Sequence, residues 1–312
     1  MTPPLSTNEP FLSIAAVERD TGIGKDTLRV WERRYGFPQP SRDAFGERSY
    51  PMSQVEKLRT IKRLLDQGFR PGKVVAMHHD DLQRISMADV VTPSIVAKIS
   101  HSALDLHHFL DRLRLHDLIG LRAGLQQAVV DLGVAAFVTT VVAPLNALIG
   151  ETWIRGELEV FEEHLYTECV TNVLRQTIHA QTLTVPGKPP VVLLTTLPPE
   201  QHGLGLLMAE CMLTLNGCVC ISLGVQVPLT DIAKAAQAHQ ADIVALSFSS
   251  NLNPKHVRDG LNELRTMLPT TTVLWAGGGN AVLQRRPPEA VVVVRDLEDI
   301  ALQVQAWRAA QC

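Results

Sequence analysis

From Pro190 to the C-terminus, short apolar runs alternate with stretches of helical periodicity, and this alternation constrains the fold more than any other feature of the chain. The runs are Val191–Leu194, Gly217–Gly224, Ala241–Ser247, Thr271–Trp275 and Val291–Val294. Between them lie helical stretches from about Leu204 to Leu215, from a cap at Thr230 to His239, and from Pro254 to Leu268, and a last one runs to about Ala309. Apolar strands separated by helices of 10–15 residues predict a doubly wound parallel sheet. Ligands of such sheets sit at the carboxyl ends of the strands. Three features fall there: His202 after the first strand, Ser247 and Ser249 at the end of the third, and Gly277, Gly278 and Gly279 after the fourth. Each alone is weak, because a loop histidine is usually a surface residue and a glycine triplet can be a plain turn. The chain lacks the G-x-G-x-x-G of the first strand–helix turn and a G-K-[ST] phosphate loop.

Upstream the pattern is helical throughout. Residues 103–185 hold four apolar-periodic segments, which predict a four-helix bundle. Residues 80–102 lose periodicity, contain Pro93 and read as a linker. Residues 1–79 read as short helices with one break. Ser13 caps the first, Gly22 ends it, and Lys25 to Tyr35 follows with Leu28 and Trp31 facing inward and Arg29, Arg33 and Arg34 outward. Residues 42–51 form an expected hairpin wing, and Met52 to Gln67 an amphipathic helix ended by Gly68.

Charge divides along the same boundary. The 312 residues carry a net charge of −3. The first 79 hold thirteen basic and nine acidic residues and so carry +4, and the remainder carries −7. A basic head on an acidic body fits a DNA reader joined to another module, although a small helical domain with a solvated basic face also fits. Five cysteines, Cys169, Cys211, Cys218, Cys220 and Cys312, are an odd number lying mostly in apolar runs. They argue against a disulfide framework and for a reducing cytoplasm. No secretory signal or uninterrupted membrane span is expected.

The segment LSIAAVERDTGIGKDTLRVWERRYGFPQPSRDAFGERSYPMSQVEKLRTIKRLLDQGFRPGKV resembles the DNA-binding domain of the MerR family. The resemblance implies a winged helix-turn-helix that binds duplex DNA as a homo-oligomer. It places Thr27, Arg29, Arg33, Arg34 and Tyr35 on or beside the recognition helix, and Arg48 and Tyr50 on the wing.

The C-terminal segment resembles the cobalamin-binding fold, a flavodoxin- or Rossmann-like domain with the pattern D-x-H-x-x-G, S-x-L and G-G. Here Glu200-Gln201-His202-Gly203-Leu204-Gly205 is followed after 41 residues by Ser247-Phe248-Ser249, and after 27 more by Gly277-Gly278. Glu200 replaces Asp and Ser249 replaces Leu. The resemblance makes His202 the lower axial ligand of cobalt. It runs the cofactor's nucleotide tail beside Ser247 and the glycines.

In the bundle, Trp153, nine residues, then Glu163-His164 is similar to the W-x9-E-H of light-sensing B12 regulators of the CarH/LitR type. That resemblance sets these three residues over the upper face of adenosylcobalamin. In that family a histidine often follows the tryptophan, whereas Ile154 stands here and has no donor atom. Histidines 107, 108, 116 and 164 are the other bundle candidates.

The whole chain then reads as a cytoplasmic repressor, not an enzyme, with a head (1–79), linker (80–102), bundle (103–185) and cobalamin-binding domain (186–312). Operator DNA, cobalamin and further copies of itself, as dimer or tetramer, are its expected partners, and no membrane is among them. Two rival readings are a MerR-type regulator that senses cobalamin, or ignores it, without a light switch, and a corrinoid methyltransferase-like protein.

Overall fold

The computed structural model describes residues 10–43, 46–66, 69–78, 81–82, 106–184, 187–198, 200–250 and 252–311, without the side chains of Arg63, Asp66 and Ile154. It divides into two compact units, the N-terminal head and the bundle with the α/β domain.

In the head, β1 (Phe11–Ser13) leads into α1 (Ile14–Thr21) and α2 (Lys25–Tyr35). Ser13 Oγ accepts from the Ala16 amide and caps α1. Gly22 ends it at φ +69°, with its amide donating to Glu18 O. A two-strand wing follows, β2 (Ser41–Arg42) and β3 (Arg48–Pro51), then α3 (Met52–Asp66) and the single turn α4 (Pro71–Val74). β3 is the central strand, antiparallel to both β1 and β2. Val17, Leu28, Trp31, Val55, Leu58 and Ile61 fill the core, and Leu82 joins it, so the head's core reaches past residue 79. Gly68 and nearly all of residues 80–102 lie outside the described residues.

The bundle comprises α5 (Leu106–Arg114), α6 (Leu118–Leu132), a continuous run through α7 (Val134–Ala136), a π-helical stretch (Phe137–Val142) and α8 (Ala143–Ile154), then α9 (Val160–Thr184). Val134–Trp153 is long and apolar enough to cross a membrane, with mean hydropathy 1.6. Phe137, Val138, Val141, Val142, Leu145 and Ile149 on it are nevertheless buried in the protein's own core.

The α/β domain holds β4 (Lys188–Thr195), α10 (Leu204–Leu215), β5 (Cys218–Gly224), α11 (Leu229–Ala238), β6 (Ile243–Ser247), α12 (Pro254–Met267), β7 (Val273–Gly277), α13 (Ala281–Arg285), β8 (Val292–Val294) and α14 (Asp299–Ala309). All five strands are parallel, in the order β5-β4-β6-β7-β8. Strand order therefore reverses between β4 and β6, and the ligand crevice of such sheets opens at that point. Two details differ from expectation. α11 starts at Leu229 after Pro228, so Thr230 lies inside its first turn, and the short α13, capped by Asn280, has no counterpart in the periodicity.

Bundle and sheet share one hydrophobic cluster. Leu121, Val141, Tyr166 and Leu174 belong to it together with Leu206, Met212, Ile243 and Val304. α9 packs along α10, where the Cys211 thiol contacts Leu174 O at 3.8 Å.

Candidate functional site

The β4–α10 loop starts at the switch point and carries Glu200 and His202. Glu200 is 1% exposed. One carboxylate oxygen accepts from the His202 amide at 2.9 Å and meets His202 Nδ1 at 2.5 Å. The other accepts from the Ser249 amide at 2.7 Å, which ties the exits of β4 and β6 together. Burial pushes the Glu200 carboxyl upward, but the hydrogen bonds from His202 and Ser249 outweigh it and hold the group at about 2. His202 keeps 66% of its side chain exposed. A carboxylate on Nδ1 is the arrangement that fixes the tautomer of metal-ligating histidines, in which the other ring nitrogen meets the metal. Among the described residues no three or more His, Cys, Asp or Glu side chains cluster as a metal cage. A single oriented imidazole suits a metal that arrives with its other ligands.

The Glu200 shift has a consequence for stability. A carboxylate held near 2 against 4.5 stabilises the fold fully above pH 4.5, and that contribution, about 3 kcal/mol, is lost as pH falls toward 2. In cobalamin-free protein, urea midpoints at pH 5, 4 and 3 are expected to fall more steeply for wild type than for Glu200→Gln. Parallel slopes would contradict it.

Beside this pair a cavity of about 180 Å³ opens between α10, the ends of β6 and β7, and the start of α14. Gly205, Met208, Ala209, Ser247, Gly277 and Gly278 line it. It is smaller than the roughly 300–1,000 Å³ of sites that enclose a whole drug-sized ligand. It has room for part of a large molecule. Its walls are tight: a Cβ on Gly205 would lie 2.8 Å from the rotatable Ser247 Oγ, and one on Gly278 2.1 Å from the backbone oxygen of Phe248, where glycine is required. Ser249 Oγ is buried, and among the described residues it finds no well-formed hydrogen bond. Gly203 precedes α10, and a Cβ on Gly279 would lie 3.6 Å from Ser250.

The structure thus brings Glu200, His202, Gly203, Gly205, Ser247, Ser249 and Gly277–Gly279 to one end of the sheet. Trp153 is the last but one residue of α8, and Glu163 and His164 lie near the start of α9, which begins after five loop residues, so all three lie at the same end of the bundle. Glu163 accepts from the Thr167 hydroxyl and meets His164 Nδ1, both at 2.9 Å. A Cβ at Gly150, one turn before Trp153, would touch nothing within 4 Å. The buried Tyr166 phenol donates to Asn146 Oδ1, and Asn146 reaches the sulfur of Met208 on the cavity wall at 3.9 Å. His108 takes the Arg112 Nε–H, and His116 is paired with Glu162. The side chain of Ile154 lies outside the described residues.

In the head, α2 presents Thr27, Arg29, Arg33 and Arg34 to solvent. Arg29 pairs with Asp26, and Arg34 lies over the half-buried Tyr35 ring. Arg48 of the wing pairs with Glu32 at 2.9 Å. Tyr50 corrects the sequence reading. It is fully buried opposite Leu12, its hydroxyl is without a partner among the described residues, and it is a core residue rather than a wing contact.

Residues 12–78 match the MerR HTH regulatory protein family, residues 190–304 match a B12 binding domain, and residues 106–177 match a second B12 binding domain. The chain thus joins a MerR-type HTH domain to B12-binding domains. It is 29% identical over 260 residues to the HTH-type transcriptional repressor CarH of Myxococcus xanthus, covering 83% of this chain and 86% of that protein. It is 28% identical over 283 residues to the repressor CarA of the same organism, covering 88% and 89%. The fold also matches the monomethylamine corrinoid protein of Methanosarcina barkeri, with TM-score 0.51 and 14% identity, over 64% of this chain and 96% of that one. Both Myxococcus relatives, matched over most of their length, are transcriptional repressors.

The spacing did not reveal Thr196 or the Val225–Gln226 turn, which pack beside the His202 loop. A threonine ending an apolar run has no signature of its own.

Proposed function

We propose that this regulator is a cytoplasmic repressor that binds adenosylcobalamin in darkness, holds DNA as a dimer or tetramer, and releases it in light. The Glu200-oriented His202 beside a glycine-walled cavity carries the cobalamin part of the reading. When bound, adenosylcobalamin would supply a cobalt able to take an imidazole nitrogen and a cobalt–carbon bond that light can break. His202 would hold the lower face, while Gly205, Ser247 and Gly277–Gly279 admit the tail. Trp153, Glu163 and His164 would meet the adenosyl side. Linkage requires that the DNA-holding oligomer bind the adenosyl form more tightly than the photolysed one. Loss of contacts to Trp153 then shifts the assembly. Gel filtration and operator binding of adenosylcobalamin-loaded protein, in darkness and after green light, test this. Unchanged size and unchanged affinity would rule out the light switch.

Arg33 and Arg34 on α2 and Arg48 on the wing would contact DNA. Phosphate contacts release counterions, so Arg33→Ala is expected to weaken binding to operator and non-operator DNA alike and to lower the salt slope by about 1. A loss confined to one operator position would instead assign Arg33 to a base.

Ile154 favours a second reading of the light response. Without a donor after Trp153, the photolysed protein would lack that route to a second axial imidazole. Re-addition of adenosylcobalamin in darkness would then restore the starting spectrum readily. A stable doubly imidazole-ligated spectrum would show that another histidine substitutes.

A further inference from the structure

Thr196 is fully buried immediately after β4, four residues before Glu200. Its hydroxyl donates to Glu200 O at 2.8 Å and accepts from the Gln226 amide at 2.8 Å. Its carbonyl takes the Val227 amide at 3.0 Å. The neighbouring Thr195 hydroxyl donates to Gly224 O at 2.9 Å. One residue thus joins the loop that leaves β4 to the turn that leaves β5. That turn is strained, because Gln226 holds φ +60° without being glycine. It also touches the site, since a Cβ on Gly203 would lie 3.3 Å from Val225 Cγ1.

The Glu200 carboxylate orients His202, but the Glu200 backbone must itself be held for that to have a fixed direction. Only Thr196 grips the Glu200 carbonyl through a side chain in the described structure. A hydroxyl satisfies a buried carbonyl and a buried amide at once, whereas an alkyl group of the same shape leaves both unpaired.

We propose that Thr196 is a positioning residue for the His202 imidazole: by pinning the Glu200 carbonyl and the Gln226 turn together, it sets the direction in which His202 meets a corrin-bound cobalt. This rests on the cobalamin reading above. The experiment loads the full-length chain, grown with histidine carrying the heavy nitrogen isotope, with cob(II)alamin. The nitrogen splitting in its electron paramagnetic resonance spectrum reports which nitrogen binds cobalt.

Wild type is expected to show only the heavy-isotope splitting. Thr196→Val is expected to bind about tenfold more weakly and to give a mixed spectrum in which the unlabelled cofactor base competes for cobalt. Thr196→Ser, which keeps the hydroxyl, is expected to restore the wild-type spectrum. A purely structural role for Thr196 would lower the melting temperature and leave the isotope pattern intact. Should Thr196→Val fail to fold, Thr196→Ala reads the same quantity without a misplaced methyl group. Full histidine ligation and wild-type affinity in the hydroxyl-free variant overturn the proposal alone. Absence of the heavy-isotope splitting in wild type overturns the cobalamin reading and this proposal with it.

Discussion

His202→Ala is expected to abolish the imidazole-ligated spectrum of the cobalamin-loaded protein and to lower its affinity for cobalamin by about 100-fold or more. The expectation follows from how much of the local structure is committed to that ring. Glu200 spends one oxygen on the ring and amide of His202, and the other on the Ser249 amide. A carboxylate buried to 1% exposure is costly unless every such bond is made. The site carries that cost with the ring in place. Glu200→Gln separates the two roles. It keeps the side chain's shape but gives Nδ1 a neutral partner, and a loss of about 10–100-fold is expected, with ligation retained but weakened. Titration of each apo variant with cobalamin, followed by its visible spectrum, checks both. Wild-type binding by His202→Ala would mean that the cavity and the bundle hold the cofactor without the axial bond.

Gly278→Ala is expected to be the most damaging single methyl addition in the α/β domain. At φ +108° the new Cβ would lie 2.1 Å from Phe248 O and 3.0 Å from Phe248 C. Those atoms belong to the backbone of the β6 exit and cannot rotate away as a side chain can. Strain of this kind costs about 3–5 kcal/mol, and the melting temperature is expected to fall by roughly 10 °C. Two glycines calibrate the argument. Gly36 also has positive φ, at +70°, but nothing lies within 4 Å, so Gly36→Ala costs only about 1 kcal/mol. Gly205→Ala meets the rotatable Ser247 hydroxyl. Its main effect is a narrower cavity and weaker cobalamin binding, with stability little changed. Circular dichroism melts of the three variants give the ranking. A Gly278→Ala melt within about 2 °C of wild type would show that the Phe248 carbonyl has somewhere to go.

The five strands of the sheet were legible because parallel strands covered on both faces must be apolar along their whole length. Val191–Leu194 and Ile243–Ser247 could therefore be read directly. The site followed from them, since each strand–helix unit ends at the same edge. Tyr50 was misread because its neighbours Arg48 and Ser49 are polar, and only the pairing of Leu12 with Tyr50 turns its ring inward. That pairing depends on β1, three residues long and too short to carry an alternation. The Val134–Trp153 run is apolar on every side, so sequence marked it as helical without saying which face is buried or that Phe137–Val142 widens to a π-helix. Thr196 was invisible because its importance lies in two backbone atoms, Glu200 O and Gln226 N, that meet only after folding.

The cluster shared by Leu121, Val141 and Leu174 with Leu206, Met212 and Ile243 limits how a signal at the cofactor can travel. A roof that swung clear of the sheet would bare this interior to water, at about 1.5–3 kcal/mol for each large apolar side chain exposed. Bundle and sheet are therefore expected to melt in a single step. Under the light response proposed above, photolysis would act through slips of helices that stay in contact, with α9 and α10 sliding against each other as two gears do, not as a lid lifting from a box.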